Sequence, residues 1–310
     1  MILIAGEALI DMVSDPAQAS RFSAHPGGAA YNVACALGLL GAKPGFVCPI
    51  SQDTLGNLLL ERLAECDASA VLPHRVRAPT PLALVTVDEN SQPSYSFYRE
   101  GTADRALAEF AMDNVAPTAT TMMHISGFCL NEANDYQHWL TLVKSILKQG
   151  ALLSVDPNVR ANLVTDKDDY LARIHQLMEM AHVVKVSDED LLYLCPGKDL
   201  AKAKQALAAK VPLLIVTLGA KGAEALYQGE TVTVPAQKVT KMADTVGSGD
   251  CFAGTYLYGL EQAGVTGAED IHKLSTAQLH EILSLAAKAA AINCERHGCQ
   301  PPTLAELTNS

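Results

Sequence analysis

Short apolar runs, several of them apolar throughout, alternate along this chain with amphipathic stretches, and that alternation narrows the folds open to it. The runs at 1–5, 45–47, 122–126, 151–156, 183–186 and 213–217 read as strands. Helical apolar spacing covers 31–40, 54–65, 136–149, 168–180 and 200–209, and an Ala-rich helix covers 284–293 before Pro301-Pro302. Strands that are apolar on both faces need cover on both, and helices on either side of a parallel sheet supply it. The expected fold is therefore α/β and doubly wound, with a mostly parallel sheet flanked by helices. Two regions, 8–23 and 73–107, break the rhythm. Within the second, 81–98 reads as two strands about a polar turn. Together they predict a small β-sheet lid on one large domain spanning 1–310.

Composition excludes several classes of protein. At 49% hydrophobic residues the chain can build a sizeable core, so disorder is excluded. No run of about 18 apolar residues occurs, so no membrane-spanning helix is expected. The start meets Glu7 and Asp11 early and lacks a basic leader, so no signal peptide is expected. With 23 Lys and Arg against 34 Asp and Glu, the net charge of −11 argues against nucleic acid and membrane surfaces as partners. The eight cysteines form no CxxC pair, and their spacing suits neither a zinc site nor a disulfide framework. Reduced thiols in a cytoplasmic protein are the expectation.

The strongest chemical signal is Asp244-Thr245-Val246-Gly247-Ser248-Gly249-Asp250, followed by a helical pattern. Two glycines one residue apart let successive amides face one point, and the helix after them adds unpaired N–H groups and the positive end of its dipole. That combination makes an anion hole suited to a transferring phosphoryl group. A carboxylate at Asp250 then stands beside the anion, placed to take a proton from an attacking hydroxyl. The same residues would also serve a plain strand-to-helix turn with Asp250 stabilising the helix start. A dinucleotide fingerprint would need glycine at Phe252. Gly197-Lys198 runs into Asp199, so there is no Walker loop, and His280-Glu281 lacks a second histidine at Ser284. A second glycine site, Pro26-Gly27-Gly28-Ala29-Ala30-Tyr31-Asn32, opens the helix at 31–40. It allows a ligand close to the backbone, with Asn32 offering donors and an acceptor, or it is a glycine turn packed on a strand.

These two segments, in this order and separation, resemble the two signatures of the PfkB (ribokinase-like) carbohydrate kinases. The likeness runs nearly end to end, through Gly6-Glu7-Ala8-Leu9-Ile10-Asp11, Asp156-Pro157-Asn158-Val159-Arg160, Lys185-Val186-Ser187-Asp188-Glu189-Asp190 and Thr217-Leu218-Gly219-Ala220-Lys221-Gly222. Within the family, 97–105 and 286–293 most resemble bacterial fructokinases. The resemblance implies Asp250 as catalytic base, with the amides of Gly247, Ser248 and Gly249 on the γ-phosphoryl group and Arg160 reaching substrate or phosphate. It implies sugar binding by Asp11, Gly27, Gly28 and Asn32, with Phe97 and Arg99 over the sugar from the lid. It places Thr217, Gly219, Gly222 and Asn293 on the nucleotide side, and Lys185 as a phosphate-facing or structural cation. Family members carry Asn-x-x-Glu, whose Glu organises magnesium through water. Here Ser187 and Asp190 stand at those positions, with Glu189 next door. Asp244 and Val246 match the family's monovalent-cation loop.

The activity so implied is transfer of the γ-phosphoryl of ATP, with Mg2+ and K+ as cofactors, to a small-molecule sugar. The first expectation is D-fructose giving fructose 6-phosphate. The alternatives are 2-keto-3-deoxygluconate, ribose or a nucleoside as acceptor, or a non-catalytic sugar- or nucleotide-binding regulator. A keto-acid acceptor would want extra cations around Arg99 and Arg160. Exposed lid edges invite pairing, so a homodimer through the lid is a further expectation.

Overall fold

The computed structural model describes residues 1–15, 18–87, 93–117 and 119–309. In chain order its strands begin β1 (Ile2–Gly6), β2 (Leu9–Asp15), β3 (Gln18–Gly27), β4 (Gly45–Val47), β5 (Ser69–Ala70), β6 (Leu82–Val87) and β7 (Pro93–Tyr98). They continue with β8 (Met122–Ser126), β9 (Leu152–Asp156), β10 (Val183–Ser187), β11 (Leu213–Thr217), β12 (Ala223–Tyr227) and β13 (Glu230–Val234). The helices are α1 (Ala29–Leu39), α2 (Thr54–Glu65), α3 (Ala133–Lys148), α4 (Lys167–Glu179) and α5 (Asp188–Leu194). After them come α6 (Leu200–Ala208), α7 (Ser248–Gln262), α8 (Thr276–Cys294) and α9 (Leu304–Asn309).

One sheet runs in the order β13-β12-β11-β10-β9-β8-β1-β4-β5. It is parallel except for the β11–β12–β13 edge, where the pairing turns antiparallel. The all-apolar strands are sorted by alternation. Ile2, Ile4, Met122, Leu152, Val183 and Leu213 point into one core, packed with Tyr31, Leu59, Phe252 and Leu283 of α1, α2, α7 and α8. Leu3, Ala5, Met123, Leu153, Val184 and Leu214 point into the other, packed with Trp139, Ile174, Leu191 and Leu207 of α3, α4, α5 and α6. The expected doubly wound architecture is thus the one present, and each face of the sheet has its own helical layer.

A second sheet, ordered β3-β2-β6-β7, stands apart from the first. Its pairs are antiparallel except β2 with β6. It occupies the place expected of the lid, with different bounds. The first piece runs on to Gly27, straight into the glycine turn. Residues 73–81, broken by Pro73, Pro79 and Pro81, lie outside it, and Val76 instead bridges to Ser51 in the body of the fold. After Tyr98 the chain leaves the sheet for a 3-10 segment at Ala103–Glu109, whose Ala103 and Leu107 are buried in the main core. Among the described residues no helix is long and apolar enough to cross a membrane. All eight cysteines are free thiols, with only Cys299 not fully buried.

Candidate active site

The parallel strands end in register, so Gly6, Ser126 and Asp156 stand side by side, as do Ser187 and Thr217. A cavity of about 1180 Å³ runs over these carboxyl ends and under β7 of the second sheet. The strand order runs outward from β1 in both directions, and crevices at such a reversal are where open α/β sheets hold ligands.

Helix α7 enters the cavity at its amino end. Gly247 caps it with φ +71, a left-handed conformation, and a β-carbon there would lie 2.3 Å from Cys299 Sγ, so glycine is required twice over. The Ser248 N–H donates back to the Thr245 carbonyl at 3.2 Å, while the first-turn amides of Gly249 and Asp250 have no acceptor within the helix by position. Gly254, one turn on, lets α7 and α1 cross closely; a β-carbon on it would lie 2.7 Å from that of Ala36. From that crossing Asn32 Nδ2 donates to Asp250 Oδ2 at 2.8 Å. Asp11, from β2, faces the same point. Burial, with the Asp250 charge adding to it, pushes the Asp11 carboxyl up to about 6. Asp250 is pushed up to about 6 as well: burial raises it, the Asn32 hydrogen bond and the Lys185 and Arg160 charges oppose, and Asp156 adds to the rise. Two carboxyls and an amide thus converge, and both carboxyls are poised close to neutrality.

Behind Asp250, Lys185 of β10 bonds to Asp156 Oδ2 at 2.7 Å, with both side chains buried. Burial lowers the affinity of Lys185 for its proton, but Asp156, Asp250 and Asp190 together outweigh it and keep the ammonium charged. Its Nζ would lie 3.3 Å from a β-carbon on Gly249, which sets a fixed cation beneath the first turn of α7. Asp190 accompanies it from α5, whose start is capped by Ser187 Oγ accepting the Asp190 N–H at 3.0 Å. Burial and the Asp156 charge push Asp190 up to about 6, against Lys185, the Ser187 bond and Arg160. Its neighbour Glu189 also lines the cavity but is exposed. Arg160 lines the cavity too, with its guanidinium donating to Asn158 Oδ1.

At the far end, Thr217, Gly219 and Gly222 edge the cavity. Ala287, Ala290 and Ala291 of α8 line the same cavity, as do Val239 and Met242 of the loop before α7. Their spacing puts three small side chains on one helix face, and a flat ring could lie against it. The Ala-rich run was visible in the sequence, but its lining role was not among the expectations. Tyr95, Asn162 and Glu7 also line the cavity without having been anticipated.

Most of the anticipated residues meet in this one cavity: Asp11, Gly28, Asn32, Phe97, Arg160, Lys185, Asp190, Thr217, Gly219, Gly222 and 246–250. Others do not. Gly27 backs the site, where a β-carbon on it would lie 2.3 Å from Asp11 Oδ2. Arg99 is turned away; Asp104 Oδ2 accepts from its Nε at 2.9 Å and from its Nη2 at 2.6 Å, and its guanidinium lies 4.3 Å from the centre of the Phe128 ring. Asn293 is fully buried. Its amide donates to the Val246 carbonyl at 2.8 Å and accepts the Gln300 N–H, so it fastens the loop before α7 rather than facing a nucleotide. Asp244 accepts the amides of Val246 and Gly298 on its two oxygens. The Val246 carbonyl accepts from the Asn293 amide, and a carboxylate or carbonyl oxygen keeps a second lone pair after one such bond.

Known proteins resemble this chain over most of its length. The chain is 33% identical over 270 residues to a fructokinase of Rhizobium leguminosarum bv. trifolii, covering 84% of this chain and 80% of that one. A fructokinase of Xylella fastidiosa solved with bound ATP superposes with a TM-score of 0.88 at 28% identity, covering 99% of this chain and 97% of its own. A fructokinase of Vibrio cholerae O395 solved with fructose, ADP and calcium superposes at 0.81 and 25% identity, with the same coverages. Residues 1–306 match the description "pfkB family carbohydrate kinase", and this chain belongs to that family.

Proposed function

We propose that this protein transfers the γ-phosphoryl group of ATP to D-fructose and releases fructose 6-phosphate. The observation that carries the reading is the Asn32–Asp250 bond at 2.8 Å, with Asp11 facing it, at the mouth of the α7 amide turn. Asp11 and Asn32 suit vicinal hydroxyls, one accepting and the other both donating and accepting. Asp250 takes the proton of the attacking hydroxyl as the new O–P bond forms and the bond to the departing ADP oxygen breaks. Charge growing on the phosphoryl oxygens meets the α7 amides and the cations Lys185 and Arg160. Phe97 and Tyr95 close the sugar end from the second sheet, which acts as a lid against water. The cavity wall at Ala287, Ala290 and Ala291 takes the adenine.

Magnesium fits the residues present. Asp190 is a carboxyl crowded by Asp156, and a cation would relieve that crowding. Among the described residues no cluster of three or more metal ligands exists, which suits an ion that keeps its waters and the substrate phosphates as ligands. When bound, it would neutralise phosphate charge next to Asp190. A monovalent cation at Asp244 and Val246 stands as a proposal, and no step here passes through it.

Two observations favour a neutral sugar over a sugar acid: Arg99 is consumed by Asp104, and Glu7 brings a carboxyl to the same end of the cavity. The intact Asp250 favours an enzyme over a binding regulator. Two lids pairing through the edge strands β3 and β7 would give the expected homodimer, which sedimentation would test. The decisive assay for the acceptor is Mg-ATP with D-fructose, ribose, 2-keto-3-deoxygluconate and nucleosides, read by kcat/KM. D-fructose should lead. A sugar acid in front would overturn the acceptor assignment, and no turnover with any of them would overturn catalysis.

A further inference from the structure

Glu7 follows β1 directly and is fully buried, yet it belongs to the wall of the cavity. Its Oε1 accepts the N–H of Ala29, the first residue of α1, at 2.8 Å, so its carboxyl caps the amino end of that helix. Its backbone grips the preceding residue. A β-carbon on Gly28 would approach the Glu7 carbonyl oxygen to 2.7 Å. One residue therefore holds the glycine turn on both sides. Further along α1, Asn32 closes the first turn by donating its N–H to the Gly28 carbonyl at 2.9 Å, and its side chain reaches Asp250. Across from the turn, the Glu7 carboxyl lies against Gly127, where a β-carbon would come within 2.1 Å of Oε2. Oε2 itself has no hydrogen-bond partner among the described residues. Burial raises this carboxyl to about 7 against the pull of its own and the Ala29 N–H, Arg99 and Arg160. A buried acid with an idle oxygen is a poor filler of space, since an unmatched buried polar atom is costly.

We infer that Glu7 is a positioning residue for the acceptor subsite: it sets the glycine turn and the start of α1, and through them holds Asn32 within bonding distance of Asp250. The inference rests on reading that subsite as the sugar end of a kinase site. The test is a set of three variants. Glu7→Ala and the volume-conserving Glu7→Met remove the acceptor for the Ala29 N–H, whereas Glu7→Gln keeps it. Steady-state kinetics are measured with each substrate varied in turn, and D-fructose binding is measured by calorimetry, which needs no turnover. In Ala and Met the sugar kcat/KM should fall roughly 10- to 100-fold, as expected when a reacting group is misplaced by up to an ångström. Sugar affinity should weaken alongside, the KM for ATP should stay near the wild-type value, and Gln should restore most of the loss.

An unchanged sugar kcat/KM in Ala or Met overturns the inference, and so does an equal loss on the ATP side. Failure of both to fold would assign Glu7 to the core and also overturn it. So would a folded but inactive Gln variant, because the charge would then be the working feature. Wild-type turnover is read first; its absence would count against the kinase reading, while the calorimetric comparison still judges Glu7.

Discussion

Asp250 and Asp11 are both held near pH 6 chiefly by burial, and that places the acid limb of the reaction. On the proposed mechanism Asp250 must be ionised to act as base, so kcat/KM should fall at least about tenfold per unit below pH 6, and a profile flat to about pH 5 would contradict the assignment. The same shift carries a stability signature. Between the ordinary carboxyl value near 4 and the folded value of about 6, the native state binds more protons than the unfolded one. Stability of the ligand-free protein therefore falls as pH rises through that window. Asp250→Asn removes the penalty, so calorimetry should find the variant melting higher than wild type above about pH 6, with the gap closing below about 4. A variant that melts lower at every pH would deny the buried charge. Residue identities at this centre were readable because the spacing Gly-x-Gly-Asp dictates what a backbone turn and a first-turn carboxyl can do. The fates of Arg99 and Asn293 were not. Arg99 is claimed by Asp104, five residues on and around a turn, and Asn293 by a carbonyl and an amide brought in by two separate loops. Neither partner follows from a local pattern.

The elements that matter are α1 and α7, and what fixes them is their crossing. Gly254 permits that crossing, although it lies outside the cavity wall. Gly254→Val should force the helices apart, lengthen the Asn32–Asp250 contact and cut kcat by tenfold or more, by misplacing the base rather than removing it. An active Gly254→Val enzyme would show that the crossing is not needed. The paired ends of β9 and β10 make a second element-scale test. Lys185→Met leaves Asp156 buried without its partner and should lower stability by about 3–5 kcal/mol in denaturant melts. Adding Asp156→Leu should return much of that stability but not the activity, and a double variant as unstable as the single one would contradict this. The strands that were legible are those buried on both faces, because short, mostly apolar runs such as Met122–Ser126 and Leu213–Thr217 stand out between amphipathic stretches. The β12–β13 hairpin escaped notice because it is an edge: Glu230–Val234 exposes Glu230, Thr231 and Thr233, and Ala223–Tyr227 mixes Ala and Glu into its alternation. Helix α5, only Asp188–Leu194, is too short for its period to be read.

At the scale of the whole molecule, an acidic chain would handle the proposed polyanionic substrate by local means. The net charge of −11 is spread over the chain, while Lys185, Arg160 and the α7 amides are gathered at one point. The second sheet covers one end of the cavity, with Phe97 set edge-to-face against Phe128 at 5.1 Å where the sugar is proposed to bind. Phe97→Ala should admit water there and raise the amount of ATP hydrolysed per sugar phosphorylated. Unchanged coupling would mean that the sheet does not seal the site. The central claim is that Asp250 removes the proton while ATP supplies the phosphoryl group to fructose. Formation of fructose 6-phosphate from D-fructose and Mg-ATP, followed side by side in wild type and Asp250→Asn, tests it most directly. Wild type should form product and the variant should lose at least about 10²–10⁴-fold in rate, with ATP still bound. Equal turnover by the two proteins would contradict it.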